Sequence, residues 1–299
     1  MAKWTGKSKG TPLGYRIFIG LIKIDIRMAY MLLKPVSFFY LLFSDKKSIS
    51  YFYRVRLGYG KLKTIVSIYK NYVFLGKVLI DKIAILSGQK DKFTFNFEGE
   101  EYLHQIVKDQ KGGLLLGAHM GNWEVAGELL ERVDSVINIL MVEAEHDKLK
   151  DVLHEAIGDK KVNIIPIKDD MSHIFGVIDA FKRKEIVAMH GDRFVEGNQT
   201  VKIPFLGELA EFPIGPMVLA SKYSIPITFV FSVKETNTHY HFFATKGKVY
   251  PKERKPALRD ESIKVMLTDY VNRLQDVVEQ FPLQWFNYHP FWENEKNKS

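Results

Sequence analysis

Apolar positions along this chain fall into two regimes. Up to Ser87 they come in long runs or at helical spacing. Residues 17–22 and 28–44 are apolar stretches interleaved with Lys23, Arg27 and Lys34. Tyr69, Tyr72, Val73, Gly76, Leu79, Ile80 and Ile83 then recur at three- and four-residue intervals until Gly88. This spacing lines one face of a helix, so helical structure is expected over 50–87. Downstream, short apolar runs alternate with helical stretches. Strands are predicted over 93–97, 114–118, 137–142, 162–167, 186–190, 225–233 and 240–250, and helices over 100–108, 123–133, 147–157, 172–182, 213–223 and 258–281. Such alternation predicts an α/β fold with a mainly parallel sheet flanked by helices.

Three segments are expected: a hydrophobic, basic membrane-anchoring segment over 1–48, one catalytic domain over 49–292, and a polar, lysine-rich tail over 293–299. Both extreme ends are expected to be disordered. With 46% hydrophobic residues in 299, the chain has the apolar content for one large core. It contains no cysteine, which excludes disulfides, thiolate metal sites and a cysteine nucleophile together.

The net charge of +8 raises nucleic acid, an anionic membrane and acidic substrates as partners. Its distribution decides among them. Residues 1–63 hold nine lysines and four arginines against Asp25 and Asp45, a net +11, which leaves the remainder at −3. No basic groove is therefore expected on the catalytic body, and nucleic acid is not a predicted partner. The 28–44 run, with one lysine, is shorter than the ~20 apolar residues that cross a bilayer comfortably. It reads as an interfacial helix or a marginal span. It ends in Ser44-Asp45-Lys46-Lys47, which offers no small-residue cleavage site. Basic residues around it favour an anionic membrane face, each by about 1 kcal/mol. The alternative is a buried N-terminal helical hairpin.

The strongest chemical signal lies at 114–124, where a buried strand runs into His119, a glycine turn and a helix. On one continuous helix, His119 and Glu124 would point about 140° apart. They can meet if His119 ends the strand, Gly121 reverses the chain, Asn122 caps the helix and Glu124 lies in its first turn. The carboxylate then receives one imidazole N–H and leaves the other nitrogen free as a base. A neutral imidazole with an unperturbed pKa of about 6.5 suits activation of a hydroxyl. A lone histidine at a strand end is more often structural, so H-x4-E by itself decides little.

The wider residue set decides more. His119-Met120-Gly121-Asn122-Trp123-Glu124 resembles the H-x4-D/E motif of the lysophospholipid acyltransferase superfamily, in particular the bacterial lipid A biosynthesis acyltransferases. Asn71-Tyr72-Val73-Phe74-Leu75-Gly76 with Asp81-Lys82 is similar to that family's helical approach to the domain. Gly191-Asp192-Arg193, the stretches 201–207 and 212–216, and Pro282-Leu283-Gln284-Trp285-Phe286-Asn287-Tyr288 resemble its later signatures. The resemblance implies a glycerolipid-acyltransferase-like fold and transfer of a fatty acyl group to a hydroxyl, or an amine, of a lipid acceptor. It makes His119 the general base and Glu124 its orienting partner. Asn122, Asp192 and Arg193 are assigned to substrate binding, the arginine engaging an anionic part of donor or acceptor.

The donor implied is an acyl carrier protein or CoA thioester, with no metal or other cofactor and no covalent enzyme intermediate. The expected location is the cytoplasmic face of the bacterial inner membrane, with a partner protein subunit left open. The competing reading is a catalytically idle lipid-binding or scaffolding subunit of the same fold. Glu196-Gly197 is similar to the Glu-Gly-Thr-Arg motif of glycerolipid acyltransferases, but Asn198-Gln199 follows, which argues against a plain glycerol-3-phosphate acceptor. Gly6-Lys7-Ser8-Lys9-Gly10 satisfies G-x-S-x-G without a preceding strand. His239 and His241 share a strand face with no third ligand in view. His190 ends a strand near the site and reads as a core histidine, with a place behind the site as the alternative.

Overall fold

The computed structural model describes residues 20–296 except 23, 87, 123–131, 143–161, 169, 195–196 and 254. Its centre is a seven-stranded sheet in the order β1-β9-β8-β2-β5-β3-β4. The strands are β1 (Thr94–Glu98), β2 (Gly113–Gly117), β3 (Ile137–Val142), β4 (Val162–Ile167), β5 (Ile186–His190), β8 (Ile227–Lys234) and β9 (His239–Ala244). β8, β2, β5, β3 and β4 pair in parallel, β9 runs antiparallel to β8, and β1 pairs in parallel with β9. The mainly parallel α/β architecture expected from the alternation is therefore present.

β2 is buried along its whole length, as a strand covered on both faces must be. Leu114 and Leu116 pack with the buried face of α7 (Pro256–Gln280), through Met266, Leu267, Tyr270 and Leu274. Leu115, facing the other way, packs with Leu103 and Ile106 of α4 (Glu100–Lys108). The remaining described helices after the first sheet strand include α5 (His173–Lys182) and α6 (Gly215–Tyr223). The helices expected over 123–133 and 147–157 lie almost wholly outside the described residues.

One element differs from expectation by addition. A two-stranded hairpin, β6 (Thr200–Phe205) and β7 (Glu208–Pro213), stands apart from the main sheet. Its turn is Leu206-Gly207, both at positive φ (51° and 80°), the geometry of a tight primed hairpin turn. Such turns normally advertise themselves as Asn-Gly or Asp-Gly. Here a leucine takes the first position because its side chain is buried in the core and its N–H is taken by the Gln275 side chain at 2.8 Å. Strand β9 also stops at Ala244, short of the predicted 250. The 293–296 part of the expected tail is ordered: Glu293–Lys296 forms a turn of helix, and Lys296 and Glu293 pair with Glu211 and Lys202 of the hairpin.

The N-terminal region packs into the domain. α1 (Ile26–Phe43) buries Ile26, Ala29, Leu33 and Ser37, a helical repeat, and lies antiparallel on α3 (Lys61–Leu86). Between them come a short helix α2 (Lys47–Tyr51) and a π-turn, Phe52–Arg56. Leu33 sits over Gly76, where a Cβ would come within 2.2 Å of it. Ile22, Ile26, Ala29 and Leu33 share one apolar cluster with Ile80, Ala84, Phe93, Tyr240 and Phe242. The opposite face of α1, with Met28, Met31, Phe38, Phe39, Leu42 and Phe43, is exposed.

Beneath that cluster lies a buried ion pair. Lys234 Nζ meets Asp81 Oδ2, with 1% and 0% of their side chains exposed. Tyr30 and Tyr240 donate their hydroxyls to the same carboxylate. Burial raises the Asp81 carboxyl and lowers the Lys234 ammonium, against the attraction between them. Removing one partner strands the other in an apolar setting. Asp81→Asn should therefore cost about 3–5 kcal/mol in urea unfolding, while the Asp81→Asn/Lys234→Met double variant recovers most of that loss. A double variant no more stable than the single would count against the pair as drawn.

Candidate active site

The register of two neighbouring strands assembles the site. β2 and β5 pair with Gly117 opposite His190, so the residues two beyond each strand end, His119 and Asp192, emerge side by side. The position just past the C-terminal ends of parallel strands is where open α/β sheets place their sites. Asp192 Oδ1 lies 2.8 Å from His119 Nδ1. Asp192 Oδ2 accepts the His119 backbone N–H at 3.0 Å and the Trp285 indole N–H at 3.3 Å. The aspartate side chain is 2% exposed and the histidine 11%.

These contacts fix the imidazole tautomer. An ionised carboxylate only accepts hydrogen bonds, so the ring nitrogen facing it carries the proton, and in the neutral ring the lone pair falls to Nε2. Asp192 is held ionised. Burial alone would raise its carboxyl, but the adjacent His119, the hydrogen bond from it and Arg193 bring it well below the usual carboxylate range. Two other histidines lie close. The His190 ring packs against His119 with centroids 4.3 Å apart, and burial, reinforced by His119 and Arg193, pushes its pKa well down. His289 is lowered to about 4, by burial first and Arg193 second. Both are neutral at pH 7, which leaves His119 as the ring paired with the carboxylate.

The turn after His119 is set by backbone approach. Gly121 has φ +58°, and a Cβ there would sit 1.6 Å from the Ser232 carbonyl oxygen. Its N–H donates to the Gln284 carbonyl at 2.8 Å, and the next N–H, of Asn122, donates to Ser232 at 3.2 Å. The C-terminal signature closes over the same turn. Phe286 N–H donates to the His119 carbonyl at 3.0 Å, and Arg193 donates to the Phe286 carbonyl at 2.6 Å. Asn71 in α3 donates to the carbonyls of Leu283 and Trp285, and Tyr288 donates back to Asn71 at 2.6 Å. An aromatic group locks the segment from below: Trp285 packs edge-to-face on Phe205, Phe291 and Trp292, Trp292 stacks on Phe205, and the Trp292 indole donates to the Phe205 carbonyl at 3.0 Å. Four motifs far apart in sequence thus meet at one point.

The assigned residues fare differently. His119, Asp192 and Arg193 come together. Asp192, assigned to substrate, is buried and bonded to His119 Nδ1. Asn122, also assigned to substrate, is fully buried and donates to the Tyr240 hydroxyl at 3.2 Å and towards the Val78 carbonyl. Glu124 lies outside the described residues. Trp285 and Phe286, whose indole and amide fix the pair, stand in a motif recognised in sequence but given no role there. Tyr270 was not singled out at all; its hydroxyl donates to the Gly117 carbonyl at 2.8 Å, beneath the strand end. His239 and His241 make local contacts on β9, with Thr94 at 2.7 Å and Glu235 at 3.1 Å.

Asp192→Asn tests this geometry. Both oxygens of Asp192 face donors, so the amide would turn an NH2 towards one of them. The variant should lose activity by about 100-fold or more while still folding. The sign with pH follows from the depressed carboxyl. Its stabilisation is fully present above the unfolded value of about 3.9 and fades as pH falls through the lower folded value. The difference in melting temperature between wild type and Asp192→Asn should shrink as pH falls below about 4. A difference that grows below that pH would contradict the ionised carboxylate.

A model of the family described as bacterial lipid A biosynthesis acyltransferase matches residues 67–294. Among solved structures, the chain is similar to the 1-acyl-sn-glycerophosphate (LPA) acyltransferase PlsC from Thermotoga maritima, at 12% identity and a TM-score of 0.38, over 84% of this chain and 97% of that one. No curated protein matches. The matched span takes in every site residue from Asn71 to Tyr288, and on that ground this chain is an acyltransferase belonging to the bacterial lipid A biosynthesis acyltransferase family.

Proposed function

We propose that the chain transfers a fatty acyl group directly from an acyl carrier protein or CoA thioester to a hydroxyl, or an amine, of a lipid acceptor, at the cytoplasmic face of the inner membrane. The observation that supports this most is the tethering of His119 Nδ1 by the buried Asp192 carboxylate, which leaves Nε2 as the proton acceptor. In the proposed step Nε2 takes the acceptor's hydroxyl proton as its oxygen attacks the thioester carbonyl. The resulting oxyanion collapses, the C–S bond breaks, and the departing thiolate takes the proton from the imidazolium. The products are an ester and a free thiol, with no covalent enzyme intermediate and no cofactor beyond the thioester.

Arg193, beside the pair and anchored on Phe286, is proposed to engage an anionic part of donor or acceptor. Glu124, the carboxylate of the H-x4-E motif, is proposed as an orienting partner of His119 alongside Asp192. His119→Ala should lower thiol release from an acyl-CoA, measured with crude bacterial membrane lipid as acceptor, by at least about 1,000-fold. Glu124→Ala should be comparably impaired, and both variants should still bind vesicles. Near-normal turnover by purified His119→Ala would refute the role given to that residue.

For the membrane contact we propose that α1 lies in the interface and does not span it. At 18 residues it measures roughly 27 Å, just under a hydrocarbon core of ~30 Å. One face is packed on α3 and the sheet edge, and the other presents Phe38, Phe39, Leu42 and Phe43. The surrounding lysines and arginines favour anionic lipid. Phe39→Ser/Phe43→Ser should weaken flotation with phosphatidylglycerol-containing vesicles by on the order of tenfold or more, from lost apolar burial. Unchanged flotation would remove α1 as the contact.

A further inference from the structure

The turn that carries His119 is held from a second direction by the buried Asp81–Lys234 pair, which the proposed chemistry does not use. Two routes lead from that pair to adjacent residues of the turn. By the first, the Tyr240 hydroxyl spends its single proton on Asp81 Oδ2, so its lone pair must accept from Asn122 Nδ2 at 3.2 Å. That fixes which way the Asn122 amide faces. By the second, Gln284 brackets the Lys234 backbone, accepting its N–H and donating to its carbonyl, both at 2.8 Å. The Gln284 carbonyl then receives the Gly121 N–H at 2.8 Å. Asp81 Oδ1, the other oxygen of the carboxylate, takes the hydroxyl of Tyr30, which belongs to α1. Lys234 is further tied to the Asn237 carbonyl at 2.6 Å.

A well-packed apolar group of similar volume would often be at least as stable in such a place as an ion pair. What the ion pair adds is directional: its donors and acceptors orient the side chains around it, as apolar packing would not. Tyr30 is part of that arrangement. If α1 lifts away, Asp81 Oδ1 loses the hydrogen bond that fixes the rotation of the carboxylate, and the Tyr240 hydroxyl on Oδ2, with the Asn122 amide that donates to it, loses that reference.

We propose that Tyr30, Asp81, Lys234 and Tyr240 are positioning residues for acyl transfer, coupling the docking of α1 to the conformation of the 119–122 turn. α1 then completes the active site as well as contacting lipid. This rests on the reading of His119 as the base.

A double-mutant cycle between Tyr30 and Asn122 tests the coupling, using the full chain in phosphatidylethanolamine–phosphatidylglycerol vesicles and following thiol release from palmitoyl-CoA with crude membrane lipid as acceptor. Tyr30→Phe keeps the ring and should lower kcat about threefold, and Asn122→Ser about tenfold. The double variant should be no slower than Asn122→Ser alone. KM for the thioester and the midpoint of the acid limb of the pH profile should stay unchanged, which a general loss of structure would not produce. If Asn122→Ser does not fold, Tyr240→Phe takes its place, since it removes the acceptor and keeps the ring. Multiplicative effects, or no change in kcat for Tyr30→Phe, would overturn the coupling. His119→Ala is run alongside: if it is inactive while the cycle is multiplicative, only the coupling falls, whereas retained activity in His119→Ala removes the reading of the base and the coupling with it.

Discussion

The arrangement depends on one carboxylate that is buried and still charged. An isolated ion of this kind would be expelled or protonated, because transfer out of water costs several kcal/mol. Asp192 is kept ionised by three N–H groups converging on its two oxygens and by the charge of Arg193 nearby. Two of those donors come from one residue, the backbone and the ring of His119. The third comes from Trp285, held in place by its aromatic neighbours. The imidazole cannot rotate without unsatisfying the aspartate, so orientation of the ring and burial of the acid are the same constraint.

That constraint explains why the C-terminal segment is wound back through the domain. Trp285 has to reach Asp192, and Phe286 has to reach both His119 and Arg193. Asn71 in α3 holds two carbonyls of this segment, and the Tyr53 hydroxyl holds a third, that of Pro282, at 3.0 Å. Side chains from the helices before the sheet thus position the last polypeptide crossing of the site. The asparagine is fully buried, and that degree of burial is tolerable only because its amide is saturated by these partners.

Sequence reasoning reached the strands and the helices flanking them because both faces of the parallel sheet are covered, which makes the runs 114–118 and 186–190 unmistakably apolar. It reached His119 for the same reason, since the residue lies where such a run ends. It did not pair Asp192 with His119 because strand order is not a local property. β2 and β5 are separated by two strands in sequence and are neighbours in the sheet, so the relation between 119 and 192 exists only once the pairing is known. The hairpin over 200–213 was illegible for a different reason. Its turn uses a buried leucine at positive φ, where the tertiary position of the side chain outweighs the local preference for glycine or asparagine. The C-terminal turn at 293–296 was hidden by its polar composition: Glu295 is buried because it accepts the Phe291 N–H at 2.9 Å, a local bond that composition does not report.

The two buried carboxylates can be compared directly. Asp192 faces an imidazole, and Asp81 faces an ammonium and two phenols. Imidazole is the one group among these partners whose ordinary pKa lies near neutrality, so only the first pair joins a carboxylate to a group suited to gaining and losing a proton. The second network includes Tyr30 of α1, and through Tyr240 and Asn122 it ties the turn that carries His119 to the helix whose outer face is apolar.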